Sequence, residues 1–161
     1  MIRRLRFCAK DFIPFVDLMR ESWNQPYAKP DSMRDAVFDS GIVQALEDLM
    51  RSPDNIVNGY FVDDDLAAAF VHIRLDDGSL DIHINTGPGY RGRGLTRDML
   101  RANIAALPNG TRVVATVPSC NVTTEALFLG LGFKSSESPK TWTHEGIDYK
   151  CHVFNSTKTE V

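Results

Sequence analysis

The most chemically pointed stretch of the chain is Ile84-Asn-Thr-Gly-Pro-Gly-Tyr-Arg-Gly-Arg-Gly-Leu-Thr96. An apolar strand turns here directly into a helix. The first turn of a helix carries unpaired N–H groups and the positive end of the helix dipole, so it is a ready site for an anion. Gly92 and Gly94 remove side chains where a phosphate would have to approach the backbone. Arg91 and Arg93 place positive charge beside them, and Arg97 and Arg101 follow one and two turns later. A pyrophosphate with a further phosphate nearby suits this arrangement.

Other phosphate motifs do not fit. A P-loop needs Gly-Lys-Ser/Thr after four spacer residues, and no such run exists. A dinucleotide fingerprint starting at Gly92 would need a third glycine where Arg97 stands. A single RGRG copy inside a strand-to-helix turn is also a poor match to an RNA-binding RGG segment.

A second group of polar residues lies on a hairpin. Leu66 to Leu75 and Leu80 to Thr86 flank Asp76-Asp-Gly78. A turn at 77–78, or over 76–79, opposes Arg74 to Asp81, His72 to His83 and Phe70 to Asn85. These side chains would share one face. Ala69, Val71, Ile73 and Leu75 would then face Leu80, Ile82 and Ile84 as core. A three-residue turn would pair Ile73 with Asp81 and mix the two faces, so it is set aside. A histidine of near-neutral pKa is suited to accepting a proton. His83 is the first candidate base. Asp81 is the second, as base or as the carboxylate that orients Arg74. The alternative is a solvated face carrying an ion pair of little energetic worth. His72 and His83 lack a third ligand for a metal.

These residues need a scaffold, and the composition provides for one domain. The chain has 161 residues, 43 % hydrophobic and 24 % charged, with a net charge of −3. That length can bury a core without disulfide or metal staples. The acidic balance argues against a protein devoted to gripping nucleic acid. Cys8, Cys120 and Cys151 form no CxxC pair, so a reducing cytoplasm is the expected compartment. The longest apolar run, Leu66 to Val71, is too short to cross a bilayer, and the basic N-terminus lacks the apolar stretch of a signal peptide.

Ile2 to Phe7 reads as a strand, and Asp11 as the cap of a helix to about Ser22. The proline-broken segment 23–30 reads as a loop, and Ser32 to Met50 as a helix interrupted near Gly41. Asp63-Asp-Asp65 fits a hairpin turn better than a cation site. A helix from about Gly92 to Leu107 leads to a buried strand, Thr111 to Val117. Asn121 caps a short helix, and two strands close around Glu145-Gly146. Helices inserted into a mixed sheet define an α/β (α+β) domain over residues 1–154, with 155–161 as a polar tail.

With these residues in place, Arg91-Gly-Arg-Gly-Leu-Thr96 resembles the Arg/Gln-x-x-Gly-x-Gly/Ala signature of the GNAT superfamily of acyl-CoA N-acyltransferases. Asn121, Ala126, Phe128 and Leu131-Gly-Phe133 are similar to that family's downstream segment. The resemblance implies a mixed, mostly antiparallel seven-stranded sheet flanked by four helices and splayed between its fourth and fifth strands. It implies acetyl-CoA as co-substrate. The backbone of Ile84, Asn85 and Thr86 would pair with the pantetheine. The amides of Gly92, Arg93, Gly94, Leu95 and Thr96 would cradle the pyrophosphate between Arg91 and Arg93, and Asn121 would touch the pantetheine arm. His83, one residue before the thioester segment, becomes the base for an attacking amine, with Asp81 second.

Two residues depart from the pattern. Thr96 stands where glycine or alanine is usual, to add a hydroxyl to the phosphate or to crowd it. Phe128 replaces a tyrosine that protonates the departing thiolate, leaving Ser119 and Cys120 as substitutes. Cys120 otherwise reads as a small buried residue, and His144 and His152 as surface or edge residues. Trp23 and Tyr27 would wall the acceptor pocket or simply pack locally.

The expected function is acetyl transfer to a small-molecule or peptide amine by direct attack on the thioester. The rival is a weak or inactive GNAT-fold module that binds CoA or a protein partner. Family members often form homodimers. Neither metal nor membrane enters, and acylation of charged tRNA is disfavoured by the charge.

Overall fold

The computed structural model describes residues 1–23, 40–144 and 147–158. The elements are β1 (Ile2–Arg4), α1 (Ala9–Trp23), α2 (Ser40–Arg51), β2 (Ile56–Val62), β3 (Asp65–Arg74) and β4 (Leu80–Thr86). A 3-10 turn at Pro88–Tyr90 leads to α3 (Leu95–Ala105), β5 (Arg112–Pro118) and α4 (Val122–Gly130). The chain closes with β6 (Lys134–Ser135), β7 (Lys140–His144) and β8 (Ile147–Thr157).

The strands form one sheet in the order β1-β2-β3-β4-β5-β8-β6, with β7 also on β8. Every pair is antiparallel except β4 and β5, whose parallel pairing follows from the crossover through α3. The expected mixed, mostly antiparallel architecture is therefore observed. Lys134–Ser135 raises the strand number from seven to eight.

The β2–β3 hairpin turns on Asp63 and Asp64, both at positive φ (48° and 68°). That geometry matches the strand twist and explains the aspartates as turn residues.

The β3–β4 hairpin corrects the expected register. Gly78 sits at φ 80° and its N–H donates to the Leu75 carbonyl, while Leu75 N–H donates to the Ser79 carbonyl. This is a three-residue loop over 76–78, closed by a left-handed glycine. Ile73 therefore pairs with Asp81, Val71 with His83 and His72 with Ile82. The one-residue slip moves His72 and His83 to opposite faces and leaves Arg74 opposite Leu80 instead of Asp81. The faces could not be sorted by polarity because β3 is covered on both. Residues 67–72 are all buried.

One face packs Phe70, Ile82, Val113, Ala115 and Phe154 under Met99 and Leu100 of α3 and Phe128 of α4. The opposite face packs Val57, Ala69 and Val71 under Phe15 and Leu18 of α1 and Leu46 of α2. Asp11 does not cap α1, which begins at Ala9. Its carboxylate is nearly buried, accepts the Arg6 N–H and takes both Arg3 guanidinium nitrogens at 2.6 and 2.9 Å. Bonding to Arg3 holds the Asp11 carboxyl below its usual range. The α3 helix likewise starts later than expected, at Leu95, because residues 92–94 remain in the turn.

Residues 155–157 are not a frayed tail. Asn155 pairs with Val114 on one side and Lys134 on the other, and Thr157 pairs with Arg112. Ladder pairing is a backbone property, so polar side chains at these positions do not end the strand.

Candidate active site

The β4 and β5 strands pair only at Leu80–Val113 and Asp81–Val114, then part. From Ile82 onward β4 keeps β3 on one edge and has an open edge on the other. A cavity of about 570 Å³ fills the gap. It is lined on the β4 side by Asp81, Ile82, His83, Ile84 and Asn85. Ala115 to Pro118 and Cys151 line the far side, and Asn121, Thr124 and Phe128 close the α4 end.

At the top of β4 the chain makes its glycine-rich turn. Gly92 and Gly94 both adopt left-handed backbone (φ 72° and 78°), and a Cβ on either would meet nothing within 4 Å. Gly94 occupies the N-cap of α3 with no side chain capping it. The first helical bond runs from Asp98 N–H to the Gly94 carbonyl at 3.1 Å, so the amides of Leu95, Thr96 and Arg97 stand ahead of the ladder.

Arg91 turns partly inward, whereas Arg93 stays exposed. Arg91 Nε donates to the Thr86 carbonyl at 2.9 Å, and burial lowers its pKa against the opposing pull of Glu21. The Arg93 guanidinium lies over the Tyr90 ring at 5.6 Å. Thr96 has a partner within the chain itself. Its hydroxyl bonds the Thr86 hydroxyl at 2.8 Å, tying the first turn of α3 to the end of β4.

His83 and Asp81 project from the same face of β4, toward α1 and α2, with Nε2 and Oδ2 3.4 Å apart. The imidazole is well exposed and the carboxylate largely covered (43 % and 21 % side-chain exposure). Asp81 Oδ1 is buried and has no hydrogen-bond partner among the described residues.

Other expected residues lie elsewhere. His72 is buried on the α3 side against the Phe70 ring, and neither ring nitrogen has a partner among the described residues. Burial lowers its pKa to about 4. Phe128 is buried between Phe133 and Phe154, yet it reaches the cavity wall. Asn121 spends its side-chain oxygen on Thr124 N–H, capping α4, while still lining the cavity. Cys120 is exposed and not the small core residue expected, because it sits in the turn before α4; Cys151 is the buried thiol. His152 is not on an edge. Its strand runs between β5 and the β6/β7 side, and its Nδ1 meets the Glu125 carboxylate. Tyr27 and the Trp23 side chain lie outside the described residues.

The β5 and β8 wall, Thr116, Pro118 and Cys151, had no sequence signal. A strand read as buried throughout does not announce which residues face a gap. The Glu125–His152 pair spans two elements 27 residues apart, with nothing local to mark it.

Among the described residues no three His, Cys, Asp or Glu side chains could hold a metal, and no helix is long and apolar enough to cross a membrane.

No protein-family model matches the chain, and no curated protein does. Solved structures match over nearly its whole length. An N-acetyltransferase from Staphylococcus aureus Mu50 superposes with a TM-score of 0.77 at 13 % identity, covering 98 % of this chain and 96 % of that one. A GNAT superfamily phosphinothricin acetyltransferase from Sinorhizobium meliloti, in complex with AcCoA, gives 0.74 at 14 % identity over 99 % and 88 %. A putative acetyltransferase from Salmonella typhimurium with its cofactor acetyl-CoA gives 0.71 at 16 % over 100 % and 95 %. The chain has the GNAT acetyltransferase fold.

Proposed function

We propose that the protein is an acetyl-CoA-dependent N-acetyltransferase that acylates an amine by direct attack on the thioester. The observation that carries this reading is the cavity in the β4–β5 gap, with an anion-ready turn at one end of β4 and a His83–Asp81 pair on its other side. An acyl-CoA fits the residues present. The open Cβ positions of Gly92 and Gly94 and the uncapped start of α3 suit its pyrophosphate, with Arg93 beside them. The free edge of Ile84, Asn85 and Thr86 and the side chain of Asn121 suit its pantetheine. Acetyl-CoA supplies an acyl group activated as a thioester, with a thiolate as leaving group.

The chain's own task is to deliver a neutral amine. His83 takes the proton that the nitrogen must lose as it forms the C–N bond, and Asp81 stabilises the resulting imidazolium. The C–S bond breaks as that bond forms, and the thiolate acquires its proton after leaving. Phe128 cannot donate that proton. A thiolate with an ordinary pKa near 8.5 leaves without help, so the phenylalanine slows this step without forbidding it.

The test is the melting temperature with and without acetyl-CoA. At about 100 times its Kd the ligand adds roughly 2.7 kcal/mol, a rise of about 5–10 °C for a chain of this size. Arg93→Glu, which alters an exposed residue of the turn, is expected to reduce the rise severalfold. Turnover of an amine panel should then follow, with His83→Gln losing kcat at neutral pH and regaining it as pH approaches the amine's own pKa. No rise at millimolar acetyl-CoA would overturn the proposal. A rise with no turnover of any amine would favour a CoA-binding module, to which Phe128 already lends support.

A further inference from the structure

We infer that the acceptor is a small primary amine carried on an apolar body, bound with its ammonium on Asp81. This deepens the proposed acetyl transfer and rests on it for the chemistry, though not for the binding.

One carboxylate oxygen of Asp81 is unmatched among the described residues. Asp81 Oδ1 is buried without a hydrogen-bond partner among the described residues, and its cross-strand neighbours are Ile73 and Val114. A carboxylate oxygen held among apolar groups is costly to leave unsatisfied. A ligand ammonium would supply the missing charge-assisted hydrogen bond once the carboxylate, which lines the cavity, turns that oxygen toward it. It would also stand beside His83, which lies 3.4 Å from the other Asp81 oxygen and can take a proton from it.

The surroundings of that carboxylate select the rest of the ligand. On the α1/α2 side the cavity is walled by Met19, Leu49 and Ile73, all partly exposed, over a floor of Phe15, Leu46 and Val71. None of the charged residues of α1 and α2 lines it. Lys140, which does, is on β7, three strands from β4 and so on the order of 14 Å across at ordinary spacing. Among the described residues the α1/α2 side of the site therefore offers one anion next to hydrocarbon. A polyamine would have to bury a second charge with no partner among the described residues, and a neutral alcohol could donate a hydrogen bond to Oδ1 but bring no positive charge to it. The size of the cavity, about 570 Å³ shared with the acyl donor, suits a small molecule.

Calorimetric titration of the full chain without acyl donor separates these cases. The probes are benzylamine, benzyl alcohol and spermidine at neutral pH. Benzylamine is expected to bind at least tenfold more tightly than either of the others. Asp81→Asn should weaken it at least tenfold, and Leu49→Gln several-fold. Equal binding of benzylamine and benzyl alcohol, tighter binding of spermidine, or no binding of benzylamine would each overturn the inference. If Asp81→Asn fails to fold, the three ligands on the unsubstituted chain still decide. The acetyl-CoA melting shift is measured separately, so failure of the donor site and failure of the acceptor assignment give different patterns.

Discussion

His72 shows what a single misplaced polar group does. Its ring is buried against Phe70, neither nitrogen has a partner among the described residues, and burial lowers its pKa from 6.5 to about 4. The folded state therefore binds fewer protons than the unfolded chain as pH falls below 6.5. Stability is fully present above that value and declines toward pH 4, by at most about 3 kcal/mol in all. Chemical denaturation is expected to give a stability about 2 kcal/mol lower at pH 5 than at pH 7.5, with His72→Leu largely abolishing the difference. Asp11 acts separately, because its lowered pKa confines its loss to pH below about 3.8. At this scale the sequence was legible where a residue type has one use. Gly92 and Gly94 marked a turn, and both adopt the left-handed backbone that glycine permits. It was not legible where partners are distant, as with Arg3 and Asp11 or Thr86 and Thr96.

The β3–β4 hairpin decides at the level of an element what His83 and Asp81 can do. Its three-residue loop is set by Gly78 at φ 80°, and Asp77 accepts hydrogen bonds from both the Ser79 N–H and hydroxyl, with its own pKa lowered as a result. A Cβ at position 78 would meet nothing within 4 Å, so the cost of Gly78→Ala is purely conformational, about 1–2 kcal/mol by denaturant titration. Alternation could reveal the strands but not their register, since β3 is buried on both faces and its polarity carries no sign of which is which. Asp81 and His83 remained together through the slip because residues two apart on a strand always share a face. His72 and Arg74 were lost from the group because they lie on the partner strand.

At the scale of the molecule, two pairs of residues are the whole of the β4–β5 ladder. The two sides of the sheet are held mainly by the shared layer of Met99, Leu100, Val113, Ala115 and Phe128 beneath α3 and α4. A ligand in the gap would contact both open edges. Hydrogen exchange is expected to slow at residues 82–86 and 115–117 when acetyl-CoA is added, with β1 and β2 little changed. Equal protection everywhere would indicate general stabilisation, not occupation of the gap. The overall architecture was the most legible level, because turn glycines, prolines and apolar runs punctuate the chain in order. The eighth strand carries no such punctuation, being two residues long and polar.

Thr86 is held twice, by the Thr96 hydroxyl on its own hydroxyl and by Arg91 Nε on its carbonyl. The glycine-rich turn and the open strand edge are thus parts of one stiff bracket, clamped where they join. A bracket of fixed span acts as a caliper. With an acyl-CoA bound as proposed, it would favour a donor whose charged head and reactive end are the right distance apart, and it would give a truncated thioester, however reactive, only one jaw to rest against.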